Sequence, residues 1–466
     1  MSQRARITLL LAALLVTLPA AAAPREPVPP MGTPRALTLP AKREFSLANG
    51  MQVTFVPFGT VPKTAIMLNI GTGNVADGDK NGLADLVAQL LKHGAGARDT
   101  EAVANLAAEL GGELDAGTSV DQFGISLDVL AEHATDAVEL LADVVRRPRL
   151  PSADLQGLKS SMKRNLAISR SQPQAVAGEA FSRLRWGDTV YGRGMPSDAQ
   201  IDSMTLADVQ AFISSEFGAR RAHLYVAGQF DAAAVEATLR RAFGDWAAGP
   251  APRHQAPSAM GGQVVQLIDR PGAKQSTVLL GRAVAGPTQP RFMDLSVANA
   301  LFGGTPLLSR LDRNLREDKG YTYGVNSHLI AYRNIAGWTL AADVNTADTA
   351  AALTEVFAEL ARLRTVEASA EELRAVQNYR AGNFLIGASS RQGLIGQLQF
   401  LQQQELGDDW LVHYVDHLNA VTPADVRRAA SESLDPRQMV LVIVGDLAKI
   451  KPAILALQAL QGAEFR

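Results

Sequence analysis

The chain has 466 residues, enough for about two or three domains with large buried cores. Hydrophobic residues make up 47% of the sequence, charged residues make up 20%, and the net charge is −2, as is typical of a soluble globular protein. This near-neutral balance gives no electrostatic reason to expect nucleic acid or an anionic membrane as a partner. The sequence contains no Cys, so disulfides and a lipid anchor on Cys are excluded.

Residues 1–23 are predicted to be a signal peptide. Arg4 and Arg6 precede a short apolar run, and small residues follow it at Ala20–Ala23, the order that a signal peptidase requires. The apolar run is shorter than the roughly 20 residues of a membrane-spanning helix. Prolines concentrated in 24–36 predict an extended tether. We therefore expect export to the periplasm of a Gram-negative cell, with no stable membrane span once the signal is removed.

A second stretch rich in Pro and Gly, at 249–262, predicts a linker between two domains, 37–248 and 263–466. The two halves resemble each other at several landmarks with near-constant spacing. For example, Thr422 follows Thr205 by 217 residues, and each opens a Thr-x-Ala-Asp-Val helix start. Chance similarity of helix caps would explain one such pair but not the repeated spacing, so the pattern indicates an internal duplication.

Both halves show the same order of predicted elements. In the first half these are strands at Gln52–Pro57 and Thr64–Ile70, helices at Gly82–Lys92 and Glu101–Leu110, a strand at Gln122–Val129, a helix at Glu132–Val145, a helical region at Ser152–Arg185, and a helix capped by Thr205. Strands separated by long helices predict an α+β fold made of two homologous repeats. In each repeat an antiparallel or mixed sheet packs against helices.

The second half contains ANALFGGTPLLSRLDRNLREDKGYTYGVNSHL, at Ala298–Leu329. In this stretch a Gly-rich segment precedes Ser309-Arg310-Leu311, and Arg316-Glu317-Asp318-Lys319-Gly320 precedes Tyr323. The pattern resembles the C-terminal-domain signature of the pitrilysin or insulinase family of zinc metallopeptidases, which includes the mitochondrial processing peptidase subunits. The first half matches the family from Phe45 to Tyr191, so the resemblance extends over both repeats.

The resemblance places the family's zinc motif, H-x-x-E-H, on the first helix of the first half, after a Gly-Leu-Ala lead-in. This chain keeps Gly82-Leu83-Ala84 but has Asp85, Ala88 and Gln89 where the family has His, Glu and His. The family's distal Glu ligand maps to Asn165, in a stretch with no acidic residue. The resemblance therefore implies a degenerate zinc site, with no metal or cofactor in this chain and zinc in a partner subunit.

Two other arrangements of His were considered as metal sites. Asp85, Gln89 and His93 lie at i, i+4 and i+8 of a predicted helix, but the last position is about 12 Å from the first along the axis, too far for one small ion. His413 and His417 lie one turn apart with no Glu between them, and we predict a solvated helix face.

Gly303-Gly304-Thr305-Pro306 lacks the Lys of a phosphate-binding loop and predicts a turn between helices.

In family members that work as pairs, one subunit carries zinc and the other supplies an Arg and a Tyr that bind the substrate backbone. The resemblance assigns these substrate-binding roles to Arg316 and Tyr323. The alternative is structural: Arg316 pairs locally and Tyr323 packs under the sheet. An Arg offers a fixed cation with several donors, and a Tyr hydroxyl can hydrogen-bond a developing oxyanion.

Three hypotheses about function remain open at this point. The first is a non-catalytic subunit of an exported heteromeric peptidase, with a zinc-bearing partner of the same family and extended or unfolded peptides as substrates. The second is a scaffold or peptide-binding protein with no proteolytic role. The third, least favoured, is an active metallopeptidase with an atypical metal site.

Overall fold

The computed structural model describes residues 38–253, 257–259 and 261–466. The predicted signal peptide and the predicted tether lie outside the described residues. Among the described helices, none combines the length and the apolar character needed to cross a bilayer. The described parts of the predicted linker, 249–262, contain neither helix nor strand.

The first half forms a six-stranded sheet with helices packed on it. Its strands are β1 (Arg43–Ser46), β2 (Gln52–Pro57), β3 (Lys63–Ile70), β4 (Asp115–Thr118), β5 (Phe123–Leu130) and β6 (Ala222–Gly228). Its helices are α1 (Leu83–Leu91), α2 (Thr100–Glu109), α3 (Ala134–Arg146), α4 (Ser152–Ser171), α5 (Pro173–Trp186), α6 (Asp198–Ser203), α7 (Leu206–Glu216) and α8 (Ala232–Phe243). The strands lie in the order β1-β2-β6-β3-β5-β4, and only β2 and β6 are parallel neighbours.

The second half forms another six-stranded sheet. Its strands are β7 (Val264–Asp269), β8 (Gln275–Ala285), β9 (Thr322–Tyr332), β10 (Ile335–Asn345), β11 (Val440–Gly445) and β12 (Glu464–Phe465). Its helices are α9 (Phe292–Asn299), α10 (Thr349–Thr365), α11 (Ala370–Ala388), α12 (Arg391–Gln404), α13 (Asp409–Val412), α14 (Tyr414–Ala420), α15 (Pro423–Ser433) and α16 (Leu447–Leu455). Two π-helical segments, Ala300–Gly304 and Asp312–Asp318, follow α9.

The two sheets have the same topology, which confirms the predicted α+β fold of two repeats. The second sheet runs β12-β7-β11-β8-β10-β9, so β7, β11, β8, β10 and β9 occupy the places of β2, β6, β3, β5 and β4. As in the first sheet, the strand pair β7 and β11 is parallel, and the pairs from β11 to β9 are antiparallel. The sheets differ at one edge, where β1 comes from the start of the chain and β12 from its end.

Equivalent helices of the two repeats begin in the same way. The Thr205 side chain accepts a hydrogen bond from the Asp208 backbone N–H, and the Asp208 carboxylate accepts one from the Thr205 N–H. Thr422 and Asp425 form the same reciprocal pair at the start of α15. Each pair satisfies two backbone donors that the first turn of a helix leaves free.

Each half supplies a helix that covers the sheet of the other half. Phe181 and Ala177 of α5, from the first half, are buried against Val440, Val442 and Val444 of β11. In the reciprocal contact, α12 from the second half covers β2, β3 and β6, where Leu394, Ile395 and Leu398 pack on Val56, Ala65 and Tyr225. The two halves consequently form one compact unit.

Two predicted details differ from the structure. The helical region predicted at Ser152–Arg185 is two helices, because Pro173 lacks a backbone N–H and favours an extended Gln172 before it (φ −88°, ψ 125°). The turn predicted at Gly303–Pro306 begins later, over 305–308, since both glycines belong to the π-helical segment. A Cβ on Gly304 would lie 2.5 Å from Asn299 Nδ2, so close packing explains that glycine.

Candidate functional site

Helix α1 carries the positions that correspond to the zinc motif. Gly82 precedes it with a left-handed backbone (φ 88°), which favours glycine. Asp77, which is buried, caps the helix: its Oδ2 accepts from Gly82 N at 2.8 Å and its Oδ1 accepts from Ala84 N at 2.8 Å. The negative charge of this carboxylate also interacts favourably with the positive N-terminal end of the helix dipole. The helix therefore has a well-defined start, and its bounds lie one residue inside those predicted.

The side chains on this helix differ from those of a metal site. Asp85 accepts a hydrogen bond from Asn74 Nδ2 at 2.9 Å, and Asn74 Nδ2 also donates to Asp77 Oδ2 at 3.2 Å. The surrounding protein excludes water from the Asp85 carboxylate, and this desolvation raises its pKa above the ordinary value. Part of the side chain nevertheless remains exposed. Ala88 is buried and Gln89 is exposed.

These residues do not fit zinc. Protein zinc sites use Cys, His, Asp or Glu, with three or four protein ligands. Ala88 has no ligand atom, and Gln89 and Asn165 offer only neutral amides; Asn165 is exposed on α4. Asp85 is the one carboxylate among the four positions. Within the part of the chain that the structure describes, no three His, Asp or Glu side chains gather to hold a metal ion.

The two other arrangements of His do not form a metal site. Helix α1 ends at Leu91, so His93 lies beyond it, and its Nδ1 lies 2.7 Å from Asp154 Oδ2. His413 and His417 are exposed with ring centroids 6.1 Å apart, and His413 pairs with nearby acidic side chains. Both side chains are exposed to solvent, as predicted, but His413 lies between α13 and α14, so the two do not share one helix face.

Arg316 and Tyr323, predicted to bind substrate, lie together on the surface of the second half. Arg316 belongs to the second π-helical segment, and Tyr323 is the second residue of β9. The guanidinium carbon of Arg316 lies 5.0 Å from the centre of the Tyr323 ring, within the range of a cation–π contact. Tyr323 is 86% exposed, so the alternative in which it packs under the sheet is wrong. Among the described residues, no carboxylate lies within ion-pair distance of Arg316.

The rest of the signature holds this pair in position. Arg310 is buried, and its Nε and Nη2 donate to the two carboxylate oxygens of Glu372 at 3.1 and 3.3 Å. Because Glu372 also completes the capping box of α11, this ion pair fixes the π-helical region on that helix. Leu311 and Leu315 are fully buried. The signature therefore combines buried supporting residues with the exposed Tyr323 and the partly exposed Arg316, which can contact a ligand.

A cavity that was not predicted from the sequence lies between α9, β9, α11, α12 and α14. Its polar side chains include Ser296, Arg380, Gln397 and Tyr414, which come from four different helices. A weak local signal existed: Arg380 has no acidic residue three or four positions away along α11, so no local helix ion pair is available.

The repeated α+β architecture and the helix that carries the remnant zinc motif define a metallopeptidase-type fold. Two models of one family match the chain: "Insulinase (Peptidase family M16)" at residues 59–195 and "Peptidase M16 inactive domain" at residues 203–379. Together they extend over most of the chain, which belongs to the insulinase, or M16, peptidase family.

Individual proteins give the same result. An uncharacterized zinc protease of Mycobacterium leprae is 24% identical over 400 residues, 84% of this chain and 89% of that protein. The crystal structure of a peptidase M16 inactive domain from Pseudomonas fluorescens matches 87% of this chain and 98% of its own, with 23% identity and a TM-score of 0.80. A protease from Helicobacter pylori matches 87% and 100%, with 18% identity and a TM-score of 0.79.

Proposed function

We propose that this protein is the non-catalytic, substrate-binding subunit of an exported heteromeric zinc peptidase. Its partner is a family member with an intact H-x-x-E-H motif. One observation carries the proposal: the partly exposed Arg316 lies against the exposed ring of Tyr323 in a chain whose zinc positions hold Asp85, Ala88, Gln89 and Asn165. Loss of the metal ligands together with retention of the peptide-binding pair favours division of labour between two subunits.

The geometry of the pair suits binding of a peptide backbone. Stacking on Tyr323 holds the guanidinium of Arg316 in place, so less side-chain freedom is lost when its N–H groups donate to a peptide carbonyl. The Tyr323 hydroxyl lies in solvent, where it can donate to the carbonyl oxygen as negative charge develops on it. A zinc-bearing partner would supply the hydrolytic chemistry, and Arg316 and Tyr323 of this chain would orient the peptide bond to be cleaved.

A peptide-binding scaffold without a proteolytic role is the second candidate, because the Arg316–Tyr323 pair could bind peptides with no partner. The two candidates differ in one measurable property. The subunit proposal requires that peptide hydrolysis appear when this chain is mixed with a zinc-bearing relative from the same cell. The scaffold proposal requires peptide binding with no hydrolysis under any combination.

The test is to purify this chain, a co-exported relative with an intact motif, and their mixture, and to measure zinc content and cleavage of fluorogenic peptides. We expect zinc in the relative and turnover in the mixture. Tyr323→Phe should lower kcat about 10²–10³-fold, the usual effect of removing one oxyanion donor. Arg316→Ala should lower kcat/KM by about ten- to a hundredfold, the cost of one charged hydrogen bond.

Matched controls are available on the same half. Arg313 is an exposed Arg of the same π-helical segment, and Tyr379 is a partly exposed Tyr on α11. Arg313→Ala and Tyr379→Phe should leave activity within about twofold of the unmodified mixture, a difference under 0.5 kcal/mol. Full activity in both Arg316→Ala and Tyr323→Phe would contradict the composite site. Stoichiometric zinc and turnover in this chain alone would contradict its non-catalytic role.

A further inference from the structure

A cavity of about 540 Å³ lies in the second half, lined by residues of α9, β9 and the helices α11 to α14. Arg316 and Tyr323 do not line it. One wall is aromatic: the rings of Phe384 and Tyr414 stack at 4.1 Å, and Trp410 lies 5.4 Å from Tyr414 and 5.1 Å from Phe400. A volume of this size accommodates one large side chain with its backbone, and the aromatic wall favours an apolar or aromatic one.

Arg380 brings a positive charge to the aromatic wall. Its Nη2 donates to Ser296 Oγ at 2.9 Å and to Tyr414 Oη at 3.0 Å. Its Nε is buried and has no hydrogen-bond acceptor in the structure. Among the described residues that line the cavity, none is Asp or Glu, and no described carboxylate lies within ion-pair distance of Arg380. Arg380 is partly buried, and a buried N–H of a cation that has no acceptor costs free energy unless an anion binds beside it.

The two hydroxyl groups add donors beside this cation. Both oxygens already accept a hydrogen bond from Arg380, so the hydroxyl protons of Ser296 and Tyr414 are directed away from it and remain available. Three donor groups therefore converge, one of them charged. Two hydroxyls and one guanidinium suit the two oxygens of a carboxylate, because charge-assisted hydrogen bonds are the stronger kind.

An unsatisfied acceptor lies in the same cavity. Gln397 donates through Nε2 to the Phe384 carbonyl at 3.4 Å, and its Oε1 is buried without a donor. A ligand that satisfies Oε1 must supply a hydrogen-bond donor, and a backbone N–H group is one that every non-Pro peptide residue offers. Carboxylate, N–H group and apolar side chain occur together in the C-terminal residue of a peptide, where the backbone N–H and the carboxylate flank one side chain.

We propose that this cavity binds the C-terminal residue of a peptide that ends in an aromatic or large apolar side chain. The carboxylate lies against Arg380, Ser296 and Tyr414, and the backbone N–H donates to Gln397 Oε1. The side chain contacts the aromatic wall. This inference deepens the proposed substrate-binding role, which it rests on for its biological meaning, but its test needs no partner subunit.

Strand β9 relates the cavity to the Arg316–Tyr323 pair. Ser327 and Leu329 line the cavity, and Tyr323 lies four to six residues earlier in the same strand. At about 3.3 Å per residue this separation is roughly 13–20 Å. A peptide anchored by its C-terminal residue therefore needs about four to six extended residues to reach the pair, so the anchor selects peptides by their C-terminal end.

Isothermal titration calorimetry on the full chain tests the proposal with N-acetyl-Ala-Ala-Ala-Phe as the free acid and as the C-terminal amide. We expect the acid to bind at least about tenfold more tightly than the amide, since the amide removes one charge-assisted interaction. Replacing the terminal Phe by Gly in the acid should weaken binding by a similar factor, because the aromatic wall then loses its contact.

Variants locate the preference for the acid. Arg380→Met should abolish it, and Tyr414→Phe, which keeps the ring, should reduce it. Arg374→Met is the matched control, because Arg374 is exposed on the same helix and should retain the full preference. Thermal melts check that each variant folds. If Arg380→Met does not fold, the proposal is tested by Tyr414→Phe and by the acid–amide comparison on the unmodified chain.

Equal binding of acid and amide, or no binding of the acid at millimolar concentration, would overturn the proposal. A preference that persists in folded Arg380→Met would overturn it as well. Acetate that competes as strongly as the peptide acid would show a general anion site and contradict a peptide anchor. Each result is independent of hydrolysis by the subunit mixture, so failure here and failure of the proposed function are distinguishable.

Discussion

Polar side chains that are buried or partly buried form a network around His223, which the exposed Gln402 of the second half completes. Thr54 Oγ1 lies 2.8 Å from His223 Nε2, and Tyr225 Oη lies 3.2 Å from His223 Nδ1, with the two rings stacked at 4.1 Å. The Tyr225 hydroxyl donates to Gln402 Oε1 on α12. That direction leaves Tyr225 Oη to accept from Nδ1–H, and Nε2 of a neutral imidazole can then accept from the Thr54 hydroxyl.

This network predicts a specific loss of stability in acid. Burial lowers the pKa of His223 from 6.5 to about 4. Between these values the unfolded chain takes up a proton that the folded chain does not, so stability is lost as the pH falls from about 6.5 to about 4. The loss from this group is roughly 2–3 kcal/mol at most. Urea unfolding of the unmodified chain and of His223→Gln, measured from pH 7 to pH 4, should show it as a difference in slope.

His133 provides the control, because it is partly exposed on the first half and its pairs with acidic groups lie at the surface. His133→Gln should keep the acid dependence of the unmodified chain. Parallel stability curves for the unmodified chain and His223→Gln would show that His223 does not titrate as the structure requires.

Elements with strong local signals were predicted well. The strand at Gln52–Pro57 has the predicted bounds, and α1, predicted at Gly82–Lys92, occupies Leu83–Leu91. Glycine at a left-handed position and an apolar periodicity are local properties, so they can be recognised without knowledge of the fold. The positions of the degenerate zinc motif followed from the resemblance to the family, through the Gly82-Leu83-Ala84 lead-in at the start of this helix.

Other elements depend on tertiary contacts and were not predicted. The π-helical segments have no distinctive sequence pattern, and that of Asp312–Asp318 is fixed by the buried pair of Arg310 and Glu372, 62 residues apart. The cavity beside Arg380 combines side chains from Phe292 to Tyr414. No periodicity within one element can reveal such a site. The Arg316–Tyr323 pair was predicted only because it belongs to a recognisable signature.

The repeated capping boxes predict equal effects at equivalent helices. Thr205→Ala and Thr422→Ala each remove the side-chain acceptor at the start of α7 and α15. Each should lower the free energy of unfolding by about 1 kcal/mol, measured by urea denaturation at neutral pH. Thr354→Ala, at an exposed position inside α10, should have no destabilising effect. Cap variants that are as stable as Thr354→Ala would show that these boxes do not stabilise their helices.

At the scale of the whole molecule, the exchange of helices makes each half incomplete without the other. Helix α12 buries Leu394 and Leu398 on the first sheet, and α5 buries Phe181 on the second. Full burial of one such side chain stabilises by about 1.5–3 kcal/mol. The duplication therefore produced two halves that depend on each other to bury these side chains, although each half forms a sheet of its own.

This dependence predicts the behaviour of the separated halves. A fragment of residues 38–250 would expose Val56, Ala65 and Tyr225, because α12 lies in the other fragment, 261–466. Each fragment alone should bind a hydrophobic dye, and mixing the two should release the dye and give a complex of the full chain's size by gel filtration. Leu398→Arg in the second fragment should prevent the complex, since it places a charge in the buried contact. Leu455→Arg, at an exposed position of α16, should permit it. Two fragments that each unfold cooperatively, bind no dye and do not associate would contradict the mutual dependence.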